Sequence, residues 1–438
     1  MNKNAKSPLG RLRFVATGLL AASALTLVGC AGQGGPAPVE ATGEGDIPTD
    51  TEATVRVLLE TVPDSDIVID MVDEFNETYP NITVDIEQLP FDQMRDRLIA
   101  SFQAPDPNYD LIVVDNPWMV DFAEAGFLQP LDARIDSTSD YDPDDFFDPL
   151  VDITTVDEAR YAVPFYNYAL GFIYRTDLME EAGAEPPETL DELVSTVQQL
   201  NTPEHAGIAM QPQRGYKVFE EWANWLFAAG GSIYDDEGNV TLDTPEAAHA
   251  LEAYIEAYET AAPANSLNWA VDDAVRSVSS GGSASLITYN WNLPVLNDPE
   301  GAAGDLAGEF ALAPMPGGKQ ALGAWSWALP SNSAEPDAAW AFISWVTSPE
   351  TDVERVIAGG AAIRESTLEE QRVLDEGYGA GYYDAVKTIL SDASPLSEGP
   401  SGEEFIQDVG TELNKAVAGT ASVEEALAAA QAAGERLE

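Results

Sequence analysis

Cysteine is nearly absent from this chain: 438 residues carry one, together with two histidines and 20 lysines and arginines against 76 aspartates and glutamates. Each scarcity excludes something. With no second cysteine there is no intramolecular disulfide, so the fold must hold by its core. Cys30, His205 and His249 do not furnish the donor set of a zinc site, and no H-E-x-x-H occurs. No Walker A or dinucleotide fingerprint is present, so no cofactor is expected. Gly281-Gly282-Ser283-Ala284-Ser285 misses a nucleophile elbow at its last position. The formal net charge of −56 repels nucleic-acid phosphates and anionic lipid headgroups, which removes nucleic acid as a partner.

What is present is enough apolar sequence for globular cores. Hydrophobic residues make up 45% of the chain, so the charge does not imply disorder. The acids are scattered over helix faces and loops, as in Asp140–Asp148, which suits a solvated surface in a saline or alkaline habitat. An acidic trap for a cationic ligand fits the scatter less well. Length suggests two or three domains, and no solenoid or propeller period is visible.

Residues 1–29 read as an address. Lys3, Lys6, Arg11 and Arg13 precede an apolar run, Phe14–Gly29, too short to span a membrane. Leu27-Val28-Gly29-Cys30 resembles a bacterial lipobox, which implies thioether lipidation of Cys30 as the new N-terminus and a membrane contact through that lipid. Residues 30–52, rich in Gly, Pro, Ala and acids with no periodic apolar face, are expected to be a flexible tether.

Further on, Thr54–Leu59 reads as a strand, Val68 to Tyr79 as a helix and Ile82–Ile86 as a second strand. This is a β-α-β unit with a parallel pair. Phe91, Met94, Leu98 and Phe102 form another helix stripe before a strand at Tyr109–Val114. At Tyr161–Gly183, Pro164 should limit a ladder because it has no N–H. Phe165-Tyr166-Asn167-Tyr168 follows the break, and Leu170–Tyr174 reads as a buried strand. The stretch looks like chain leaving one folded unit and entering another. Tyr234–Leu242 reads as a hairpin, and Ser422 with Glu425 as a capping box.

The run YAVPF…GFIYRTDLMEEAG…PPETLDEL resembles the extracellular solute-binding proteins of carbohydrate ABC importers, the family that contains maltose-binding protein. Leu190 stands where that family usually has tryptophan. The resemblance extends from about Thr54 to the C-terminus. It implies an α/β fold of two lobes, each a mostly parallel sheet flanked by helices, with hinge crossings near Phe165, Trp325 and Arg364. The expected boundaries are 53–165 with 325–364 for the first lobe, and 166–324 with 365–438 for the second. The implied function is a non-enzymatic, monomeric lipoprotein at the outer face of the cell membrane. It would capture a sugar, oligosaccharide or polyol and deliver it to the transmembrane subunits of an ABC permease. A surface-tethered glycoside-processing enzyme, or a binding protein for peptides or cations, is the alternative.

In open α/β sheets ligands bind beyond the carboxyl ends of strands, which places Glu60, Thr61, Asp115 and Trp118 on a ligand-facing rim. Asp115 fits equally a helix cap and Trp118 a core ring facing Phe122. Tyr166 and Asn167 sit at the first crossing. Asn290 and Trp291 belong to the densest polar–aromatic cluster, Tyr289–Asn292, where an aromatic face suits sugar C–H groups and an amide suits hydroxyls. Trp325 is implied by the family's second crossing. Trp222 fits core packing as well as the cleft. Arg364, in a segment with Ala361-Ala362 where the family has prolines, is either a ligand contact or an interlobe salt bridge.

Overall fold

The computed structural model describes residues 43–437 apart from 105 and 236. The leader and Cys30 lie outside the described residues. Eight strands form one mixed sheet: β1 Ala53–Glu60, β2 Ile82–Leu89, β3 Leu111–Asp115, β4 Ala162–Arg175, β5 Ser285–Tyr289, β6 Phe310–Ala313, β7 Gln320–Ala328 and β8 Ala393–Pro395. The order is β2-β1-β3-β7-β4-β5, with β8 added on β7 and β6 on β4. β1 runs parallel to both β2 and β3, so the β-α-β unit read from the sequence is present.

Two large apolar cores lie along this sheet. The first takes in β1, β3 and the helix Pro336–Val346; the second takes in the helices Tyr216–Ala228, Pro245–Ala261 and Gly402–Val417. β4 and β7 belong to both. The first half of β4 pairs with β7, and its second half pairs with β5 and β6. Likewise Asp115 of β3 pairs with Trp325 of β7, while the other end of β7 pairs with β8.

The sequence expectation of a ladder ending at Pro164 is corrected here. β4 is continuous, and the missing N–H of Pro164 coincides with a register irregularity between Pro164 and Tyr166. A bulge is one of the few places where a sheet interior accepts proline. The helix expected from Val68 to Tyr79 is two pieces, Pro63–Asp70 and Val72–Thr78. The expected hairpin is short: Tyr234 and Val240 form an antiparallel bridge, flanked by the Asp235 N–H to the Asn239 carbonyl at 2.9 Å and the Thr241 N–H to the Ile233 carbonyl at 2.8 Å. The Ser422–Glu425 capping box is formed.

Two further differences concern boundaries. The last part of the expected tether is held against the first core. Ile47 is buried, the Gly45 carbonyl accepts from the Trp340 indole at 3.1 Å, and Asp46 accepts from both the backbone and the hydroxyl of Ser139. Composition alone hid this, because one isoleucine, one backbone carbonyl and one aspartate do the anchoring. The passage from first to second core near the C-terminus also falls later than Arg364. Leu368, Val373, Tyr383 and Ile389 pack in the first core, and Leu396 is the first of this stretch in the second.

Candidate functional site

β1 and β5 both end at a cavity of about 840 Å³, which is lined by residues that follow them. One wall is the loop after β1 and the start of the following helix, Thr61 to Ile67, with Ala358–Ala361 beside it; the other is Asn290 to Pro299, and Tyr168, Tyr378 and Tyr382 complete it. This volume lies toward the upper end of the roughly 300–1,000 Å³ usual for small-molecule sites. Thr61, Asn290 and Trp291 of the predicted set line it. Asn290 Oδ1 accepts from the Trp291 backbone N–H at 3.0 Å, which fixes the amide. The Trp291 ring lies parallel to Tyr289, 6.0 Å between centroids at 14°. Its indole N–H is buried with no protein acceptor.

Tyr168 joins this outer cavity to an inner polar cluster. Its ring meets Trp291 and Tyr289 on one side and Tyr166 on the other. Tyr166 is fully buried, and its hydroxyl donates to Glu60 at 2.5 Å. Burial pushes the Glu60 carboxyl up to about 7, against the lowering effect of the Tyr166 bond and the Lys217 charge. Asp115, at the end of β3, is held well above the usual carboxylate range, first by burial and then by Glu60 and Glu403. From the second core, Lys217 donates to Glu220 at 2.8 Å and to the Tyr289 hydroxyl at 2.6 Å, and that hydroxyl donates to Glu220 at 2.8 Å. Burial and the neighbouring carboxylates raise the Tyr216 and Tyr289 phenols, which therefore stay protonated and able to donate.

An aromatic box closes the inner end. Trp118 stacks on Phe91 at 5.7 Å and meets Trp325 edge-on at 5.2 Å. Each such pair contributes about 0.5–1.5 kcal/mol beyond its buried area. The Trp118 indole donates to Glu403 across the cleft at 3.0 Å. Trp118 also faces Phe122 and is buried in the first core, as the core reading has it. Asn167 donates to the Ala362 carbonyl at 2.8 Å and keeps a buried, unpaired Oδ1 beside the crossing.

Glu60, Asp115, Trp118, Tyr166, Asn167 and Trp325 do not line the cavity, and the remaining two predicted site residues are buried in the cores. Trp222 has no exposed surface and packs in the second core beside Phe219; its helical spacing was a core signal. Arg364 is fully buried in the first core. It donates to the carbonyls of Thr347, Asp142 and Tyr141 at 2.8, 2.7 and 2.8 Å, pairs with Asp145 at 3.4 Å and lies 4.0 Å over the Phe146 ring. It is neither a cleft residue nor a bridge between the cores. Tyr168, Lys217, Tyr216, Glu220 and Glu403 were missed as candidates, because their meeting depends on chain segments far apart in sequence. Among the described residues no group of histidine, cysteine, aspartate and glutamate side chains is arranged to hold a metal ion, and no helix is long and apolar enough to cross a membrane.

Comparison with known proteins places this arrangement. A mannitol-binding protein of Pseudomonas aeruginosa is 26% identical over 380 residues, 82% of this chain and 86% of that one. A probable amino-acid ABC transporter periplasmic-binding protein of Sinorhizobium fredii is 22% identical over 351 residues, 79% of this chain and 80% of that one. The ribitol complex of an ABC transporter solute-binding protein from Agrobacterium radiobacter superposes with a TM-score of 0.77 at 23% identity, covering 90% of this chain and all of that one. The family model of the bacterial extracellular solute-binding proteins matches residues 61–353, and the chain belongs to that family.

Proposed function

We propose that the protein captures a sugar, oligosaccharide or polyol between two lobes built on the two cores, and delivers it to the transmembrane subunits of an ABC permease. The observation that carries this reading is the Asn290–Trp291 pair, an oriented amide beside an aromatic ring, lining together with Thr61 a cavity of about 840 Å³. Aromatic faces with amide and phenol donors suit a polyhydroxylated ligand. The mannitol-binding relative and the ribitol complex support the same ligand class. β4 and β7 pass between the lobes and act as the hinge strands. A ligand touching both walls favours the closed form by its differential affinity for it. Lipid on Cys30 holds the protein at the outer face of the membrane, and the protein acts as a monomer.

The test is a thermal-shift panel of sugars, oligosaccharides, alditols, amino acids and short peptides. A ligand that binds only the native state at a hundredfold excess over its Kd adds about 2.7 kcal/mol of stability. A shift with a sugar or polyol supports the reading. Shifts confined to amino acids, the class named for the Sinorhizobium relative, or to peptides overturn it. Shortened product after prolonged incubation with an oligosaccharide indicates the glycoside-processing alternative.

A further inference from the structure

Two separate pairs of aromatic rings line the cavity. Tyr168 and Trp291 meet at 6.3 Å between ring centroids, and Tyr378 and Tyr382 meet edge-on at 5.3 Å. Among the described residues no ring contact joins one pair to the other; Tyr168 and Trp291 turn to Tyr166 and Tyr289, Tyr378 and Tyr382 to Tyr383. The first pair stands beside Asn290, where the ligand is placed above. The second pair has no part in that contact.

The Tyr378 ring stays bare although its chain is pinned. It is 48% exposed, and Val295 of the same cavity is 49% exposed. With Phe91 these are the exposed large apolar side chains among the described residues. Single apolar residues scattered over a surface are ordinary, but two of these three line one cavity. Tyr378 lies between two glycines. Its backbone N–H donates to the Tyr383 hydroxyl at 3.2 Å, and a Cβ on Gly377 would meet that hydroxyl at 2.2 Å. Gly379 turns the chain with φ at +83°. The Tyr378 hydroxyl lies by Gly359, where a Cβ would come within 3.0 Å of it. The loop thus holds an uncovered phenol ring in the cavity wall, and such a ring offers an apolar face and a polar tip.

The volume points the same way. Even if each of the twelve heavy atoms of a hexose took the about 30 Å³ of a water in the liquid, one hexose would fill less than half of about 840 Å³.

We propose that Tyr378 and Tyr382 form a second stacking site in this cavity, so that the ligand is a saccharide of two or more rings rather than a monosaccharide or alditol. This rests on the carbohydrate reading given above.

The experiment is calorimetric titration of the full chain with sugars that differ in length: glucose against maltose and maltotriose, glucose against cellobiose and cellotriose, xylose against xylobiose, galactose against lactose, and mannitol against maltitol. The expected result is that in at least one series a longer member binds at least tenfold more tightly than its monomer. Tyr378→Ala should shrink that gain to less than threefold, and Tyr378→Phe, which keeps the ring, should retain it. Tyr378→Leu, which keeps bulk without a flat face, should lose the gain as well if Tyr378→Ala fails to fold. Binding of a monosaccharide or alditol with no tenfold gain from further rings, or a gain undiminished without the Tyr378 ring, would overturn this inference and leave the carbohydrate reading standing. Binding of amino acids or peptides, with every carbohydrate inert, would overturn both.

Discussion

Replacing Arg364 by alanine should destabilise the protein strongly and leave ligand affinity alone. The side chain is fully buried, donates to three backbone carbonyls and pairs with Asp145. Truncation takes the guanidinium donors from those carbonyls and the cation from Asp145, which keeps only Ser366. Breaking a buried pair of this kind costs about 3–5 kcal/mol. Unfolding entropy of roughly 2.1 cal/mol/K per residue gives about 0.8 kcal/mol/K for a chain of roughly 400 residues, so about 4 kcal/mol corresponds to about 5 °C. The assay is a calorimetric melt of both proteins, paired with a titration of the ligand that shifts the wild type most. A melting point within 1 °C of wild type, or a tenfold loss of affinity with a normal melt, would refute the structural role.

Glu221 gives a pH test away from the cleft. It is buried, accepts from Tyr254 and the Gln211 backbone, and burial pushes it up to about 8. The folded state therefore holds a proton that the unfolded state loses near the ordinary glutamate value of 4.5. Stability must fall with rising pH between those values, by about 1.4 kcal/mol per unit. Glu221→Gln should lose about 3 °C less than wild type between roughly pH 5.5 and 7.5, read by thermal melts in matched buffers; equal losses would contradict the assignment. Ile47→Ala should cost about 2–5 kcal/mol if Gly43–Glu52 is anchored as described, and an unchanged melt would return that segment to a tether. Trp222→Phe should lower the melting point while ligand affinity stays within twofold, since the ring packs only in the second core.

The elements that follow from local pattern were legible in the sequence. The parallel β1–β2 pair, the helix Phe91–Phe102 and the Ser422–Glu425 cap each depend on residues within one or two turns or strands of each other. The resemblance supplied the two-lobed frame and pointed to Asn290 and Trp291. What was not legible depends on distant partners. Pro164 reads as a terminator until β7 is placed beside it with an irregular register. Trp118 meets Glu403 from 285 residues away, and Lys217 finds its role only when β5 brings Tyr289 to it. Arg364 looked available because a lone arginine near a cleft motif has the right chemistry; the three carbonyls that occupy it belong to Tyr141, Asp142 and Thr347. Glu60 and Asp115 stood out only by their place at strand ends, and with acids throughout the chain no local signal separated Glu220 and Glu403 from solvated carboxylates.

The most direct test of the account is calorimetric titration of the best-shifting sugar, oligosaccharide or polyol into wild type, Trp291→Ala and Trp222→Phe. Loss of the ring that faces the cavity should weaken binding at least tenfold, about 1.4 kcal/mol, with Trp222→Phe within twofold of wild type. Undiminished affinity in Trp291→Ala, or an equal loss in Trp222→Phe, would contradict the placement of the ligand against Asn290 and Trp291.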